Sequence, residues 1–422
     1  MDILNSLLGI VVLLAIAFAF SSNRKAISLR TVLGALAIQI GIGALVLYFP
    51  AGRDALLAAS KGVSAVMDYS NAGMSFLFAG LVSGKAFEVF GNEGFIFALR
   101  VLPPIIFFSA LISVLYYLGI MQVVIKLLGG ALQKVLGTSR PESMSAAANI
   151  FVGQTEAPLL IKPFIKSMTN SELFAVMSGG VASVAGAVMI SYASMGIPLP
   201  YLIAASFMAA PGGLLFAKIL FPQSESFKDE LAEEDNDEKP SNVIEAAAVG
   251  TFSGLQLAMN VGAMLLTFIA LIAMLNGIIG WGAGLLGFEG VTIQSLLGYV
   301  FQPLAWIIGV PWEQSQVAGS LIGQKLVVNE FVAYVDFLKY LSPESTVQLD
   351  AKTVAIITFA LCGFANFSSI GILIGGIGGM APNRRTDVAR LGLKAVLAGS
   401  LSNLMSGAIA GLFIGIGGAV LQ

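Results

Sequence analysis

The sequence predicts an all-α polytopic membrane protein with about eight transmembrane helices. Apolar residues make up 57% of the 422 residues and charged residues only 11%, whereas a typical soluble domain is about 25% charged. Apolar stretches close to the roughly 20 residues needed to cross a bilayer recur along the chain. They are continuously apolar, which favours helices over a β-barrel. The predicted spans are residues 3–20, 31–49, 101–118, 173–192, 201–221, 255–279, 353–380 and 391–420.

The cysteine and histidine content limits the kinds of cross-link and site that the chain can form. Cys362 is the only cysteine, so no disulfide can form within the chain. The chain has no histidine, which rules out imidazole metal sites, His-dependent triads and His proton relays. The net charge is −2 and no basic patch points to nucleic acid. The first apolar stretch follows Met-Asp without a basic region or cleavage site, so it is expected to be a retained helix.

Lysine and arginine cluster in three loops, and the positive-inside rule converts that clustering into an orientation. If the three loops are cytoplasmic, both termini lie on the outer face of a bacterial inner membrane. The acidic segment 223–243 then forms a cytoplasmic linker. The basic residues are Arg24, Lys25 and Arg30; Lys126, Lys134 and Arg140; and Arg384, Arg385, Arg390 and Lys394.

Two parts of the chain repeat one order of features: a helix, an amphipathic segment, a polar-tipped stretch and an interrupted span. With the orientation above, the two polar-tipped stretches enter from opposite sides, so the repeats are inverted. This is the plan of secondary transporters, whose solute site lies near the midplane where the repeats meet. The first repeat comprises 101–118, 121–136, a stretch reaching Glu156 and an interruption at 178–183; the second comprises 255–279, 292–308, a stretch reaching Glu330 and an interruption at 361–366.

Each polar-tipped stretch is predicted to be a re-entrant hairpin. Residues 143–151 and 158–166 give two nine-residue arms, each about 13 Å long, close to half of a roughly 30 Å core. The alternative is a pair of interfacial helices with an exposed loop. The single membrane domain then divides into 1–137 (N-terminal spans and scaffold), 138–222 (first hairpin, broken helix, following helix), 223–243 (linker), 244–308 (scaffold helix and amphipathic segment) and 309–422 (second hairpin, broken helix, last helix).

The hairpin tips carry the polar chemistry. An acidic residue at the centre of a membrane helix costs about 2.5–3.5 kcal/mol on insertion scales, so Glu156 and Glu330 are functional candidates. Carboxylates accept hydrogen bonds, and nearby amides and hydroxyls both donate and accept, which fits a neutral polar solute such as a nucleoside. Arginine is absent from the tips, which argues against a carboxylate or phosphate substrate. The alternative is that the glutamates snorkel or pair with Lys162 and Lys325.

Two motifs resemble a known family. Gly323-Gln-Lys325-Leu-Val-Val-Asn329-Glu330-Phe-Val-Ala-Tyr334 is similar to the signature of concentrative nucleoside transporters, and Gly153-Gln-Thr-Glu-Ala-Pro158 resembles the first-hairpin tip of that family. The resemblance extends in element order from Arg24 to the C-terminus. It is closest to the bacterial, sodium-coupled type, which lacks the extra N-terminal helices of animal members.

The resemblance implies specific roles. Gln154, Thr155 and Glu156 would bind the nucleobase; Glu330, Asn366 and Ser369 would hold the ribose hydroxyls; and Leu257, Phe364 and Val188 would line the base pocket. Sodium would be held by the side chains of Asn149 and Ser183 and the backbone carbonyls of Val152 and Val184. The family is trimeric and moves a transport domain against a fixed scaffold. Ser369 has packing as an alternative role, because serine packs readily in membrane helices.

The function expected from these observations is uptake of a uridine-like nucleoside, driven by a sodium gradient through alternating access. The nearest alternative is a proton-coupled nucleoside symporter, in which Glu156 exchanges a proton. A channel and an intramembrane enzyme with paired acids are further alternatives. No enzyme activity and no cofactor other than the coupling ion are expected, because no nucleophile or metal cluster accompanies the two glutamates.

Overall fold

The computed structural model describes residues 2–227, 240–342, 345 and 347–417, and in those ranges the regular structure is entirely helical. Short 3₁₀ turns join several helices, notably Ala157–Ile161 and Pro382–Arg384. The helices are α1 (Asp2–Ala19), α2 (Leu29–Leu47), α3 (Pro50–Phe78), α4 (Lys85–Phe90), α5 (Phe97–Arg100), α6 (Leu102–Tyr117), α7 (Ile120–Leu136), α8 (Arg140–Ala148), α9 (Lys162–Ile165), α10 (Asn170–Ala182), α11 (Gly186–Met195), α12 (Leu199–Leu220), α13 (Val243–Leu285), α14 (Ile293–Ile307), α15 (Trp312–Val327), α16 (Glu330–Leu341), α17 (Ala351–Leu361), α18 (Ser368–Met380) and α19 (Arg385–Gly417).

Seven of the described helical segments are long and apolar enough to cross a membrane. An eighth is added if α14 and α15, which meet at 117°, count as one span. The predicted all-α membrane fold with about eight spans is confirmed. The seven segments are Leu29–Leu47, Pro50–Phe90, Phe97–Tyr117, Asn170–Met195, Leu199–Leu220, Val243–Leu285 and Pro382–Gly417.

Individual spans differ from the prediction. No span was predicted between residues 49 and 101, whereas Pro50–Phe90 is long and apolar enough to qualify as one by length and composition. The charged side chains of Arg53, Asp54, Lys61 and Asp68 interrupt its apolar pattern. The predicted span 255–279 covers only the centre of α13, whose 43 residues extend about 64 Å at 1.5 Å per residue. The predicted linker lies largely outside the described residues.

The repeated order of features is present in the fold. The first hairpin consists of α8, the tip 149–156 and a returning arm formed by Ala157–Ile161 and α9. The second hairpin consists of α15, a two-residue tip and α16, and the two arms of each hairpin contact each other. In the first repeat the N–H of Gly186 donates to the carbonyl of Phe151 (2.9 Å), and in the second the N–H of Phe367 donates to that of Leu326 (3.2 Å). Each broken helix is thus joined to its hairpin by a corresponding backbone bond.

Local sequence explains where these elements begin and turn. The first hairpin starts at a capping box, in which the N–H of Ser139 donates to Glu142 Oε1 (2.6 Å). In the second hairpin Asn329 caps α16, because its Oδ1 accepts from the N–H of Val332 (2.9 Å). Such caps provide partners for N–H groups that have none within the helix. Gly137 (φ +68°) and Gly309 (φ +109°) lie between each amphipathic helix and its hairpin. Glycine suits both turns because a left-handed backbone costs it no Cβ clash.

The first interruption is displaced from its predicted position. Residues 178–182 remain helical and the break comprises residues 183–185, whereas the second break, residues 362–367, matches the prediction closely. The glycine pair of α10 serves close packing instead. A Cβ on Gly180 would lie 3.0 Å from the Cβ of Gln154, and a Cβ on Gly213 would lie 2.9 Å from the Cα of Gly179.

The three basic loops lie at one end of the molecule. The side chain of Arg30 donates to the carbonyls of Lys134 (2.6 Å) and Val135 (3.2 Å). The side chain of Arg384 donates to Asn170 Oδ1 (2.9 Å). These contacts join the loop after α1 to the end of α7, and the turn before α19 to the start of α10. The end of α12 connects the two pairs, because the hydroxyls of Ser22 and Ser171 donate to the carbonyls of Leu220 (3.2 Å) and Phe221 (2.8 Å).

Candidate functional site

The interruptions of the two broken helices lie against each other. The N–H of Phe364, in the second interruption, donates to the carbonyl of Ser183, in the first (3.1 Å). Phe364 and Val184, the residue after Ser183, belong to one apolar core together with Val152 and Val328 of the two hairpin tips. Backbone outside a helix is tolerated at membrane depth only where it is buried in protein or lines a wet cavity. The contact therefore marks the centre of the molecule as the place to look for a site.

Lys325 and Asn403 hold the ends of the two half-helices that precede the interruptions. Asn403 donates from Nδ2 to the carbonyls of Ala182 (2.6 Å) and Cys362 (2.9 Å). The Lys325 ammonium donates to the carbonyl of Ala360 (2.7 Å) and to Asn403 Oδ1 (2.6 Å). The C-terminal end of a helix carries partial negative charge, so the ammonium and the amide N–H groups stabilise these ends. Lys325, 4% exposed, is engaged here instead of pairing with a hairpin glutamate.

A cavity of about 480 Å³ lies where the hairpin tips and the interruptions meet. This volume falls within the roughly 300–1,000 Å³ typical of small-molecule sites. Among the described residues that line it, none is lysine or arginine, and Asn260, Asn329 and Ser368 add polar atoms. The lining includes all the side chains predicted to bind solute, namely Gln154, Thr155, Glu156, Val188, Leu257, Glu330, Phe364, Asn366 and Ser369.

Glu330 is the buried acid of the cavity, 5% exposed. Its Oε1 accepts a hydrogen bond from the hydroxyl of Tyr192 (3.0 Å) and its Oε2 accepts one from Asn366 Nδ2 (2.9 Å). It is also the first residue of α16, where the positive end of the helix dipole favours a carboxylate. A carboxylate has about four acceptor positions, so two remain for donors of a solute.

The first hairpin presents Glu156 and Gln154 differently. Glu156 is exposed, contrary to the expectation of a buried acid, because its carboxylate lies between the 480 Å³ cavity and an adjoining one of about 300 Å³. Its Oε2 accepts from the N–H of Gly153 (2.5 Å). Gln154 is buried, donates from Nε2 to Ser369 Oγ (3.3 Å), and leaves its Oε1 without a partner among the described residues. That oxygen can accept a hydrogen bond from a solute.

The four residues predicted to hold a cation lie between the first hairpin tip and the first interruption, and all are buried. Neither side-chain polar atom of Asn149 has a hydrogen-bond partner in the part of the chain that is described. The carbonyls of Val152 and Val184 likewise accept no hydrogen bond from the described residues. Ser183 Oγ donates to the carbonyl of Gly179 (3.2 Å) and keeps lone pairs. This set of neutral oxygens fits a hard cation.

Together, a polytopic helical fold with two interrupted helices and two polar hairpin tips around one cavity defines a membrane transporter for a small polar solute. Comparison with known proteins gives the family. Models described as "Na+ dependent nucleoside transporter N-terminus", "Nucleoside recognition" and "Na+ dependent nucleoside transporter C-terminus" match residues 8–81, 98–199 and 201–411. The chain belongs to the family of Na+ dependent nucleoside transporters.

Relatives of known name agree with this assignment. The nucleoside permease NupC of Helicobacter pylori is 55% identical over 97% of this chain and 98% of its own. The mouse sodium/nucleoside cotransporter 1 is 38% identical over 96% of this chain, which spans 63% of the mouse protein. The structure of CNTnw in an inward-facing substrate-bound state is 64% identical, covers 100% of both chains and superposes with a TM-score of 0.96. A double variant of CNTnw in an outward-facing state, 63% identical, also gives a TM-score of 0.96. The prediction of a transporter, not an enzyme, is confirmed.

Sequence reasoning missed Tyr192, Asn260 and the pair Lys325–Asn403 as parts of this centre. Tyr192 lies in an apolar span, where a tyrosine gives no pattern that separates packing from a role at the site. Lys325 belongs to the family motif and could have been found as a site residue, but it was considered only as a partner of a glutamate. Asn403 is one polar residue within a long apolar helix, so its position alone predicted nothing.

The Tyr192 hydroxyl is predicted to orient Glu330 for the solute. Tyr192→Phe should weaken nucleoside binding by about tenfold or more, because the hydroxyl donates to the Glu330 carboxylate and a hydrogen bond to a charged group is worth about 1.5–3 kcal/mol. Isothermal titration measures the effect. Tyr334→Phe is the matched control, since Tyr334 is also fully buried and stacks on Tyr192 at 4.5 Å, but its hydroxyl bonds to Thr358. Equal losses in both variants would contradict the role.

Proposed function

We propose that this protein imports nucleosides across the bacterial inner membrane by sodium-driven alternating access. The observation that carries the proposal is the convergence of both hairpin tips and both interruptions, with their polar side chains, on one cavity of about 480 Å³. CNTnw, 64% identical, is known in inward-facing and outward-facing states. Its similarity supports the same kind of conformational cycle here.

Solute recognition is divided between the two hairpins. In this proposal the amide of Gln154 and the groups of Thr155 and Glu156 bind the nucleobase, whose ring nitrogens and exocyclic groups both donate and accept. Glu330, Asn366 and Ser369 hold the ribose hydroxyls, which donate to the carboxylate. The apolar side chains of Leu257, Phe364 and Val188 pack against the base. The absence of basic residues from the described lining favours a neutral solute over a nucleotide, and a uridine-like nucleoside is the proposed substrate.

Sodium is proposed to bind at Asn149, Val152, Ser183 and Val184. The unpartnered buried amide of Asn149 supports this site, because a buried polar group without a partner costs about 1–3 kcal/mol and a cation would remove that cost. The same segment carries Gln154 and Glu156. Sodium binding would therefore order the first hairpin tip, so that ion and nucleoside favour each other's binding, a reciprocal coupling.

We infer that both termini lie outside. The contact between Arg30 and Lys134 requires an even number of crossings between them. Of α2, α3 and α6, we propose that α2 and α6 cross and that α3, with its four interspersed charges, lies along the membrane surface. The basic loops are then cytoplasmic, as the positive-inside rule requires.

A homotrimer is proposed from the family resemblance. The long helix α13 exposes large apolar side chains, including Phe252, Leu266 and Trp281. Such a surface must be covered by lipid or by another copy of the chain. It is therefore available for the subunit contact that a trimer requires.

Labelled uridine uptake into proteoliposomes tests the ion and the solute together. An inward sodium gradient should drive saturable accumulation, whereas potassium should not. Asn149→Leu removes both amide atoms and should abolish the sodium stimulation, while Asn71→Leu, which changes an exposed asparagine of α3, should leave it unchanged.

Other outcomes identify the alternatives. If a proton gradient without sodium drove uridine accumulation equally well, the coupling ion would be the proton and not sodium. Flux that does not saturate with uridine would indicate a channel. If Asn149→Leu lowered uridine uptake but kept the stimulation by sodium, the proposed ion site would be contradicted and the proposed nucleoside site would not.

A further inference from the structure

A second cleft, of about 570 Å³, is lined by the first arm of the second hairpin, α15, whereas the central cavity is lined by the tip and the second arm, α16. It is bounded by α1, α14, α15 and α19 and by the interruption between α17 and α18. Residues of α19 form one wall, in which the two basic residues lie near the start and the residues that follow are apolar except for Ser400. These wall residues are Arg390, Leu393, Lys394, Val396, Leu397, Ser400, Leu401 and Leu404.

The wall has the length and polarity of one membrane lipid. The fifteen residues from Arg390 to Leu404 are separated by a rise of about 21 Å at 1.5 Å per residue, and one leaflet contributes about half of a roughly 30 Å hydrocarbon core. Arg390 and Lys394 lie in the first three turns of α19, next to Phe20 at the end of α1. Leu397, Leu401 and Leu404 follow further along α19, so a head group and an acyl chain find matching surfaces.

The basic end of the cleft can accept an anion. Arg390 is 62% exposed at its side chain and shares the single carboxylate of Asp387 with Arg384, at 3.0 Å in each case. Lys394 lies 6.0 Å from the ring of Phe221 and forms no ion pair with a carboxylate of a described residue. Positive charge therefore exceeds negative charge where the cleft opens.

We propose that this cleft binds an anionic phospholipid of the cytoplasmic leaflet, with its phosphate on Arg390 and Lys394 and one acyl chain along Leu397, Leu401 and Leu404. Basic pockets between transmembrane helices on the cytoplasmic side are suited to anionic head groups. The orientation rests on the proposed topology, which places the start of α19 at the inner face. A zwitterionic lipid carries a compensating cation and gains less from the two basic side chains.

The lipid would contact residues that adjoin the second interruption and the second hairpin, next to the solute site. Lys325, Ala365 and Phe367 also line the cleft. Lys325 holds the end of α17, and Phe367 bonds to the hairpin arm that precedes Glu330. An acyl chain in the cleft therefore packs against the segment that positions the ribose-binding residues, which makes nucleoside uptake sensitive to lipid charge.

Native mass spectrometry of the purified transporter with added phosphatidylglycerol or phosphatidylcholine tests the proposal. Each basic side chain contributes about fivefold to attraction of an anionic lipid, so Arg390→Gln with Lys394→Gln should weaken phosphatidylglycerol binding about 25-fold and leave phosphatidylcholine binding unchanged. Leu397→Trp fills the acyl part of the cleft and should weaken binding of both lipids. Uptake by the wild type should rise with the phosphatidylglycerol content of the liposomes, and uptake by the double variant should not.

The matched control is Lys126→Gln with Lys134→Gln, which removes the same charge from the exposed face of α7 at the same end of the molecule. Its phosphatidylglycerol affinity should stay within twofold of the wild type. An equal loss in the control, or unchanged binding in the Arg390/Lys394 variant, would overturn the site. Lipid binding is measured without nucleoside, so neither result bears on the proposed transport function.

Discussion

Replacing Glu330 with glutamine is expected to lower nucleoside affinity by about 10- to 150-fold, because a hydrogen bond to a charged group contributes about 1.5–3 kcal/mol. The carboxylate already accepts bonds from Tyr192 and Asn366 and offers its remaining lone pairs to the solute. An amide has one oxygen and turns an NH₂ group towards donors. Glu330→Gln thus removes acceptors where hydroxyl groups of the ribose are expected.

Isothermal titration with uridine and uptake in proteoliposomes measure the two consequences. Glu313→Gln is the matched control, because Glu313 is in the first turn of the other arm of the same hairpin but is exposed and outside the cavity. The affinity of the Glu313→Gln variant for uridine should match that of the wild type. If Glu330→Gln retained uridine affinity within twofold, the ribose site would have to be placed elsewhere in the cavity.

The hairpin tips could be found from sequence because two signals coincide there. Glu156 and Glu330 are acids within apolar surroundings, where charge is costly, and each follows a glycine turn and an amphipathic segment. The two tips are distant in sequence, yet the repeat predicts that they meet. The structure brings both into one cavity with Asn366 and Ser369. The spacing of the motifs does not predict how exposed each carboxylate is: Glu330 is buried, whereas Glu156 borders two cavities.

Other parts of the site depend on contacts that leave no sequence pattern. Asn403 bonds to Ala182 and Cys362, which are 221 and 41 residues away in the chain. Only the fold brings the ends of α10 and α17 to α19. The helix α3 was not expected for a different reason: four charged side chains interrupt its apolar pattern, although the segment forms a continuous helix of 29 residues.

A buried ion pair fixes the base of the first hairpin. Lys218 Nζ of α12 lies 2.6 Å from Glu142 Oε2 of α8, with side chains 5% and 0% exposed. Lys218 also donates to Ser171 Oγ of α10 (3.1 Å), so one ammonium joins three helices of the first repeat. The hairpin that carries Gln154 and Glu156 is thereby held to the broken helix.

Lys218→Met is expected to reduce the free energy of unfolding by about 3–5 kcal/mol, because it leaves the Glu142 carboxylate buried without a counter-charge. Lys339→Met is the matched control: its ion pair with Asp336 is also 2.6 Å long, but the lysine side chain is 72% exposed, so its loss should cost about 1 kcal/mol or less. Thermal melting in detergent compares the two variants.

The double variant Glu142→Gln with Lys218→Met separates the charge from the packing. Glutamine keeps an oxygen for the N–H of Ser139 and carries no charge, and replacing both members of a buried pair is often close to neutral. The melting temperature of the double variant should therefore recover most of the loss seen with Lys218→Met. If the double variant melted as low as the single one, the stabilising contribution of Lys218 would lie in its packing and its bond to Ser171, and not in its pairing with Glu142.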